Sequence, residues 1–184
     1  KFFVLLGPSN TGKTQFGRFL EELVGHENVA SIQGVDDFKN RFTTSSFVNK
    51  LLVTCLDLPD GILPDKAVGT IKQLVGDDSL KGEAKHRDPI TFYDKPLLLC
   101  AGNHPLRISH MAQEQALLNR MIVIPFLNPV PEGAAQQQLY LSLLDEAPYI
   151  VREALIAFQD LVERNFQVTQ VEIPEAYQPC EGRS

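Results

Sequence analysis

Gly7-Pro8-Ser9-Asn10-Thr11-Gly12-Lys13-Thr14 sets two glycines, a lysine and a hydroxyl at the spacing Gly, four residues, Gly-Lys-Thr. Phosphate chemistry needs these residue types in this order. Glycine lets the backbone wrap close to an anion, so that successive amides and the start of a helix can face it. Lys13 supplies a cation for the β and γ phosphates, and the Thr14 hydroxyl is a ligand for magnesium. The apolar run Phe2 to Leu6 precedes the motif and a helical pattern follows it. That context separates a phosphate-binding loop from a glycine-rich turn that merely caps a helix. All eight residues are expected to bind nucleotide, with ATP and Mg2+ as cofactors.

Magnesium and an attacking water call for a carboxylate at the end of a neighbouring strand. The run Leu51-Leu52-Val53-Thr54-Cys55-Leu56-Asp57 stops on one, so Asp57 is the expected acid on the metal side. Leu56 and Leu58 flank it, and no second acid adjoins it. Either Asp57 serves both tasks or Asp60 bends back to help, while Asp60 before Gly61 also reads as an ordinary loop residue. A further run, Leu97 to Ala101, leads into Gly102-Asn103-His104-Pro105. Asn103 offers a donor and an acceptor at a strand end, which suits a γ-phosphate sensor. Alone, Asn-His-Pro reads as a turn, and its functional reading depends on the order of the three elements. The histidines show no metal-ligand spacing and are expected to be structural or solvated. Cys55, Cys100 and Cys180 form no ligand pattern either, and the first two sit in apolar runs as small buried thiols.

Such residues need a scaffold that brings strand ends together. Short apolar runs recur at Phe2 to Leu6, Val29 to Ile32, Leu51 to Leu56, Pro96 to Ala101 and Met121 to Phe126. They predict five parallel strands buried on both faces. Between them lie helical patterns: Phe16, Phe19, Leu20, Leu23 and Val24 before Gly25, and Val68, Ile71, Leu74 and Val75 before Gly76. The alternation predicts an α/β sheet flanked by helices. Beyond the last run the pattern is helical only, with Leu139, Leu143 and Leu144 in one segment. Pro148 opens another that carries Ile150, Val151, Ala154, Leu155, Phe158, Leu161 and Val162. The expected organisation is an ATPase core over 1–130, a C-terminal helical appendage over 131–170, and a tail or linker over 171–184.

With the phosphate loop, the acid-ended strand and the Asn-ended strand in that order, the chain resembles superfamily 3 helicases, most closely the primase-helicases of phages, plasmids and poxviruses. The resemblance runs over nearly the whole sequence. Its most specific part is Ile71 to Asp78 followed by Gly82 to Pro89, which is similar to the motif called B-prime. In that family the motif forms a β-hairpin that grips single-stranded DNA inside a hexameric ring. The resemblance implies a P-loop NTPase fold of AAA+ type and DNA contact through Lys81, Lys85, His86 and Arg87. Those four basic residues crowd a short loop opposed by Glu83, an excess suited to phosphates without sequence preference, although Asp77, Asp78 and Asp88 balance the wider segment. Arg120, in Asn119-Arg120 ahead of the last run, is implied as an arginine finger that reaches nucleotide on the next subunit. Relatives often carry two arginines there; here Asn119 takes the first place, and Arg107 is the reserve.

Composition bounds these expectations. The 184 residues are 43% apolar and 22% charged, enough for one domain with a sizeable core. No apolar run approaches a membrane span, and the first residues lack signal-peptide flanks. No membrane partner is expected, and the expected location is the cytoplasm of a host cell. A start without methionine, directly in a core strand, is expected of a piece of a longer protein, in which a primase domain or other replication proteins would be partners. The net charge of −6 argues against wholesale coating of nucleic acid and leaves room for a local basic element. The resulting expectation is an ATP-hydrolysing DNA helicase motor whose catalytic residues are Lys13, Asp57, Asn103 and Arg120, with Thr14 and Asp57 on the metal. Two rivals stand beside it. One is an ATP-binding scaffold of a replication complex with weak hydrolysis, suggested by the solitary Asp57. The other is a P-loop kinase, for which no arginine-bearing lid is found.

Overall fold

The computed structural model describes residues 1–58, 60, 62–76, 80–82, 90–92, 95–108 and 111–168. In chain order the elements are β1 (Phe2–Leu6), α1 (Lys13–Val24), β2 (Val29–Ser31), α2 (Arg41–Ser45), β3 (Leu52–Leu58), β4 (Ile62–Leu63), α3 (Asp65–Val75), β5 (Leu80–Gly82), β6 (Ile90–Phe92), β7 (Leu97–Gly102), β8 (Arg107–Ile108), α4 (Met111–Leu118), β9 (Met121–Pro125), α5 (Leu139–Asp145) and α6 (Ala147–Glu163). The five apolar runs form one parallel sheet in the order β2-β3-β7-β1-β9.

Both faces of this sheet are covered, which is why its strands read as unbroken apolar runs rather than as alternations. Successive side chains of a strand point to opposite faces, and β1 divides accordingly. Leu5 joins Val29, Leu52, Leu99 and Ala101 beneath Phe16, Leu20 and Val24 of α1. Phe2, Val4 and Leu6 join Val53, Cys55, Leu98 and Cys100 on the other face, against Ala67, Val68, Ile71 and Leu74 of α3 and Leu117 of α4. Phe38 and Phe47 fill the same side, fully buried, with ring centroids 6.4 Å apart. Removing either ring would cost about 3–5 kcal/mol.

Strand order positions the site. From β1 the chain passes through α1 to β2 at one edge, returns inward through β3 and β7, and then crosses to β9 on the far side of β1. The direction of winding therefore reverses around β1. Outside the carboxyl ends of the strands, such a reversal opens a crevice. Two small sheets complete the described residues: β4 pairs with β8 in parallel, and β5 pairs with β6 antiparallel, Lys81 opposite Thr91. The latter pair brackets residues 83–89 and lies against α2 and α3. Thus an antiparallel ribbon stands where the B-prime resemblance implies a hairpin.

α5 packs on α1, and α6, with Pro148 in its first turn, follows directly and touches α5. Tyr149, Leu155, Ile156, Phe158 and Val162 of α6 are exposed. No helix among the described residues is long and apolar enough to cross a membrane.

Candidate functional site

Gly7 opens the loop between β1 and α1, wedged between the ends of the two neighbouring strands. Its amide donates to Gly102 O at 3.3 Å, and Phe126 N donates to Leu6 O at 2.7 Å. A Cβ on Gly7 would lie 1.9 Å from Phe126 O, so no other residue fits that strand exit. Asn10 and Gly12 are left-handed, with φ 61° and 89°. Glycine adopts this region freely and asparagine tolerates it. These two turns bend the loop around the Lys13 ammonium, which donates to Gly7 O at 2.8 Å, Pro8 O at 2.6 Å and Thr11 Oγ1 at 3.2 Å. Lys13 is only 7% exposed, and burial lowers its pKa from the usual lysine value. A cation is thus held at the centre of a ring of backbone, partly stripped of water.

The acid comes to this loop by an irregularity in β3. Cys55 pairs with Cys100, yet the next partners are Leu58 and Gly102. Three steps along β3 match two along β7, so one extra residue is accommodated at Leu56–Asp57. A bulge of this kind bends a strand and re-aims a side chain. The strand does not stop at Leu56, as its apolar run suggested; it continues through Asp57 to a buried Leu58. Asp57 is exposed and lines the cavity at the loop, together with Leu56.

Asn103 lines the same cavity from the end of β7. Since β7 lies between β3 and β1, and Gly102 O is bonded to the first amide of the loop, Asn103 stands between the acid and the lysine. The cavity measures about 670 Å³ and brings together Ser9 to Gln15, Leu56, Asp57, Ala101 to Asn103 and a third wall from the segment after β9. Among its described lining residues Asp57 is the one carboxylate. Asp60 does not line it. Its carboxylate pairs with His104 Nε2 at 3.2 Å and ties the turn after β3 to the turn after β7.

Thr14 and Asp57 give the cavity a hydroxyl and a carboxylate, both hard oxygen ligands. No group of three or more His, Cys, Asp or Glu suited to a metal occurs among the described residues. The pair fits magnesium, which binds through one or two carboxylates together with substrate phosphates rather than in an all-protein cage.

Arg120 lies elsewhere. It follows α4 and immediately precedes β9, where its guanidinium donates to Ala116 O at 3.2 Å and its carbonyl accepts from Phe2 N. The loop from Gly7 to Gly12 leaves the opposite end of the adjacent β1, five residues away along the sheet, roughly 16 Å. Arg120 therefore cannot join the site of its own chain. Arg107 is exposed in β8 and does not line the cavity. Lys81 lies on β5, while Lys85, His86 and Arg87 fall outside the described residues.

The third wall escaped the sequence. Residues 127–138 lead from β9 to α5 without regular structure and contribute Val130, Ala134, Ala135, Gln136 and Gln137 to the cavity. Val130 N donates to Asn10 O at 2.8 Å, and Asn10 Nδ2 donates to Val130 O at 2.8 Å. Only the proline-rich composition of Pro125 to Pro131 marks this stretch in the sequence, and composition does not reveal where it docks.

A family model described as "Family of unknown function (DUF5906)" matches residues 5–120, more than half of the chain. Among solved structures, the apo form of the NrS-1 C terminal region (305-718) is similar over 79% of this chain and 34% of that one, with TM-score 0.61 and 17% identity. The A form of the NrS-1 C terminal region gives TM-score 0.60, also at 17% identity, over 79% of this chain and 33% of that one. A JCV Helicase bound to a thiazolopyridine compound is similar over 69% of this chain and 36% of that one, with TM-score 0.53 and 18% identity. The likeness is one of fold, and this chain spans about a third of the length of each.

Proposed function

The chain belongs to this family of unknown function, DUF5906, and we propose that it is the ATPase motor of a DNA helicase, a P-loop NTPase of AAA+ type. One observation carries the reading: Lys13 and Thr14 of the loop, Asp57 of β3 and Asn103 of β7 border a single cavity at the reversal of the sheet. Each residue type answers one need of phosphoryl transfer. The loop amides and Lys13 bind the phosphates, Thr14 and Asp57 hold Mg2+, and Asn103 orients the γ-phosphate or the water. Bound magnesium would neutralise charge on the β and γ oxygens.

Hydrolysis then depends on a neighbour. Arg120 is kept from its own cavity by the length of a strand, and in a ring it serves the cavity of the next subunit, where a planar cation offsets charge that develops during transfer. Lys85, His86 and Arg87, which lie in the sequence between β5 and β6, are the residues this reading assigns to single-stranded DNA. The fold likeness to a chain titled JCV Helicase supports this reading over the kinase. A replication-complex scaffold with weak hydrolysis is the second reading, favoured by Asp57 being the one carboxylate among the described residues that line the cavity.

The test is ATP hydrolysis with and without single-stranded DNA for the wild type, Lys13→Ala and Lys85→Ala. Lys13→Ala loses hydrolysis under both conditions, and Lys85→Ala keeps basal hydrolysis and loses stimulation. Wild-type protein that binds ATP without hydrolysing it favours the scaffold. Normal unwinding of forked duplex by Lys85→Ala excludes the ribbon as the DNA grip.

A further inference from the structure

The cavity has two chemically different sides. The loop side carries the Lys13 ammonium, the Thr11 and Thr14 hydroxyls and the start of α1, the chemistry of phosphate. The cavity-lining residues of the wall formed after β9 carry no charge: Val130, Ala134, Ala135 and Leu139 are apolar, and Gln136 and Gln137 add carboxamides, each a donor and an acceptor, while Glu132 does not line the cavity. Apolar surface with a few convergent amides suits a flat heterocycle with a hydrogen-bonding edge. It does not suit a polyanion.

Residues 130–138 of this wall have no strand or helix of their own and are largely exposed, so their place depends on the ends of the segment. At one end Asn10 holds Val130 by the reciprocal bonds Val130 N to Asn10 O and Asn10 Nδ2 to Val130 O, both 2.8 Å. At the other, Tyr140 N donates to Gln15 Oε1 at 3.3 Å, and α5 rests on α1. Both anchors start within or just after the phosphate loop. Asn10 can make its clasp because it is left-handed, φ 61°, which turns its carbonyl and its side chain together toward the segment.

We propose that residues 130–139 form the base-binding wall of the nucleotide site and that Asn10 is its positioning residue, clasping the wall to the phosphate loop. The proposal rests on the nucleotide reading of the cavity. It makes Asn10 responsible for the part of affinity that comes from the nucleoside rather than from the phosphates. It also gives the loop a mechanical route to α5 and α6.

The experiment is calorimetric titration of Mg-ATP and of magnesium tripolyphosphate into the wild type, Asn10→Gly, Asn10→Ala and a Gln136→Ala/Gln137→Ala variant. Asn10→Gly keeps the left-handed backbone and removes only the carboxamide, so it guards against misfolding of the loop. The quantity read is the ratio of the two affinities. It falls about tenfold in Asn10→Gly and in the double glutamine variant, in line with one or two lost hydrogen bonds. Parallel losses for both ligands in Asn10→Gly, leaving the ratio unchanged, overturn the clasp. An unchanged ratio in the glutamine variant overturns the wall. Wild-type protein that takes tripolyphosphate as tightly as ATP has no base site, whereas binding of neither ligand overturns the nucleotide reading itself.

Discussion

Gly17 of α1 lies so close to Leu56 of β3 that a Cβ on the glycine would fall 2.4 Å from Leu56 Cδ2 and 3.2 Å from its Cγ. The helix that begins with Lys13 is thereby pressed onto the strand at the residue before Asp57. This approach fixes the spacing between loop and acid. Gly17→Val is expected to force Leu56 outward and to destabilise the fold by about 1–3 kcal/mol, the usual cost of overpacking. A urea melt read by circular dichroism checks it, and an unchanged midpoint would mean that α1 is free to shift.

Lys13 is held charged in partial burial, and its pKa is lowered from 10.5 by that burial. The sign follows from proton counting. Between the folded value and 10.5 the unfolded chain binds more protons than the folded one, so stability rises with pH across that interval and then levels off. In Lys13→Met this contribution is absent. The stability of the wild type relative to Lys13→Met should therefore increase from pH 7 towards pH 10, as measured by chemical denaturation at each pH. A difference that stays flat or shrinks contradicts the burial of the ammonium.

Cys55 and Cys100 face the same side of adjacent strands and are both buried. Desolvation pushes the Cys55 thiol up to about 12 and the Cys100 thiol well above its ordinary value. Since the thiolate is the reactive species, neither should react with a disulfide reagent at pH 8 in the native protein. In a Cys180→Ser background, native protein should titrate no thiol and unfolded protein two. Rapid labelling of either cysteine before unfolding would show that the sheet opens locally.

Arg120 offers a test of the ring without any structure of it. Lys13→Ala lacks the loop lysine and keeps Arg120; Arg120→Ala lacks the guanidinium and keeps its loop. Each alone should hydrolyse ATP at least a hundredfold more slowly than the wild type, in the range typical of losing a charge-stabilising donor. Mixed, the two should regain activity, because a Lys13→Ala subunit can serve the intact cavity of an Arg120→Ala neighbour. A mixture no faster than its components argues for a structural Arg120, held by Ala116 O.

Much of this arrangement is legible in the residues themselves. Gly7 to Thr14 declare their loop because glycine, lysine and threonine at that spacing have few other uses, and the five strands show as runs because both sheet faces are buried. Asp57 is legible as an acid near a strand end, but the extra residue that aims it is not. A bulge at Leu56–Asp57 depends on register against Cys100 and Gly102, which are more than forty positions away in sequence. The clasp of Asn10 on Val130, 120 positions apart, is hidden for the same reason. Asp60 was legible only as two alternatives, and its pairing with His104 joins it to the turn after β7 instead of the cavity. What local pattern encodes, the sequence displays; what long-range pairing encodes, only the folded chain does.

As proposed, the chain is a nucleotide motor completed by a neighbouring subunit and driven on DNA. The most direct measurement is the specific rate of ATP hydrolysis across a range of protein concentrations, with and without single-stranded DNA. With Arg120 acting on another subunit's cavity, as proposed, the rate per chain should climb with concentration, reach a plateau, and rise further with DNA, at a lower concentration of half-maximal activity. A rate per chain that is constant across the range and indifferent to DNA would contradict the account.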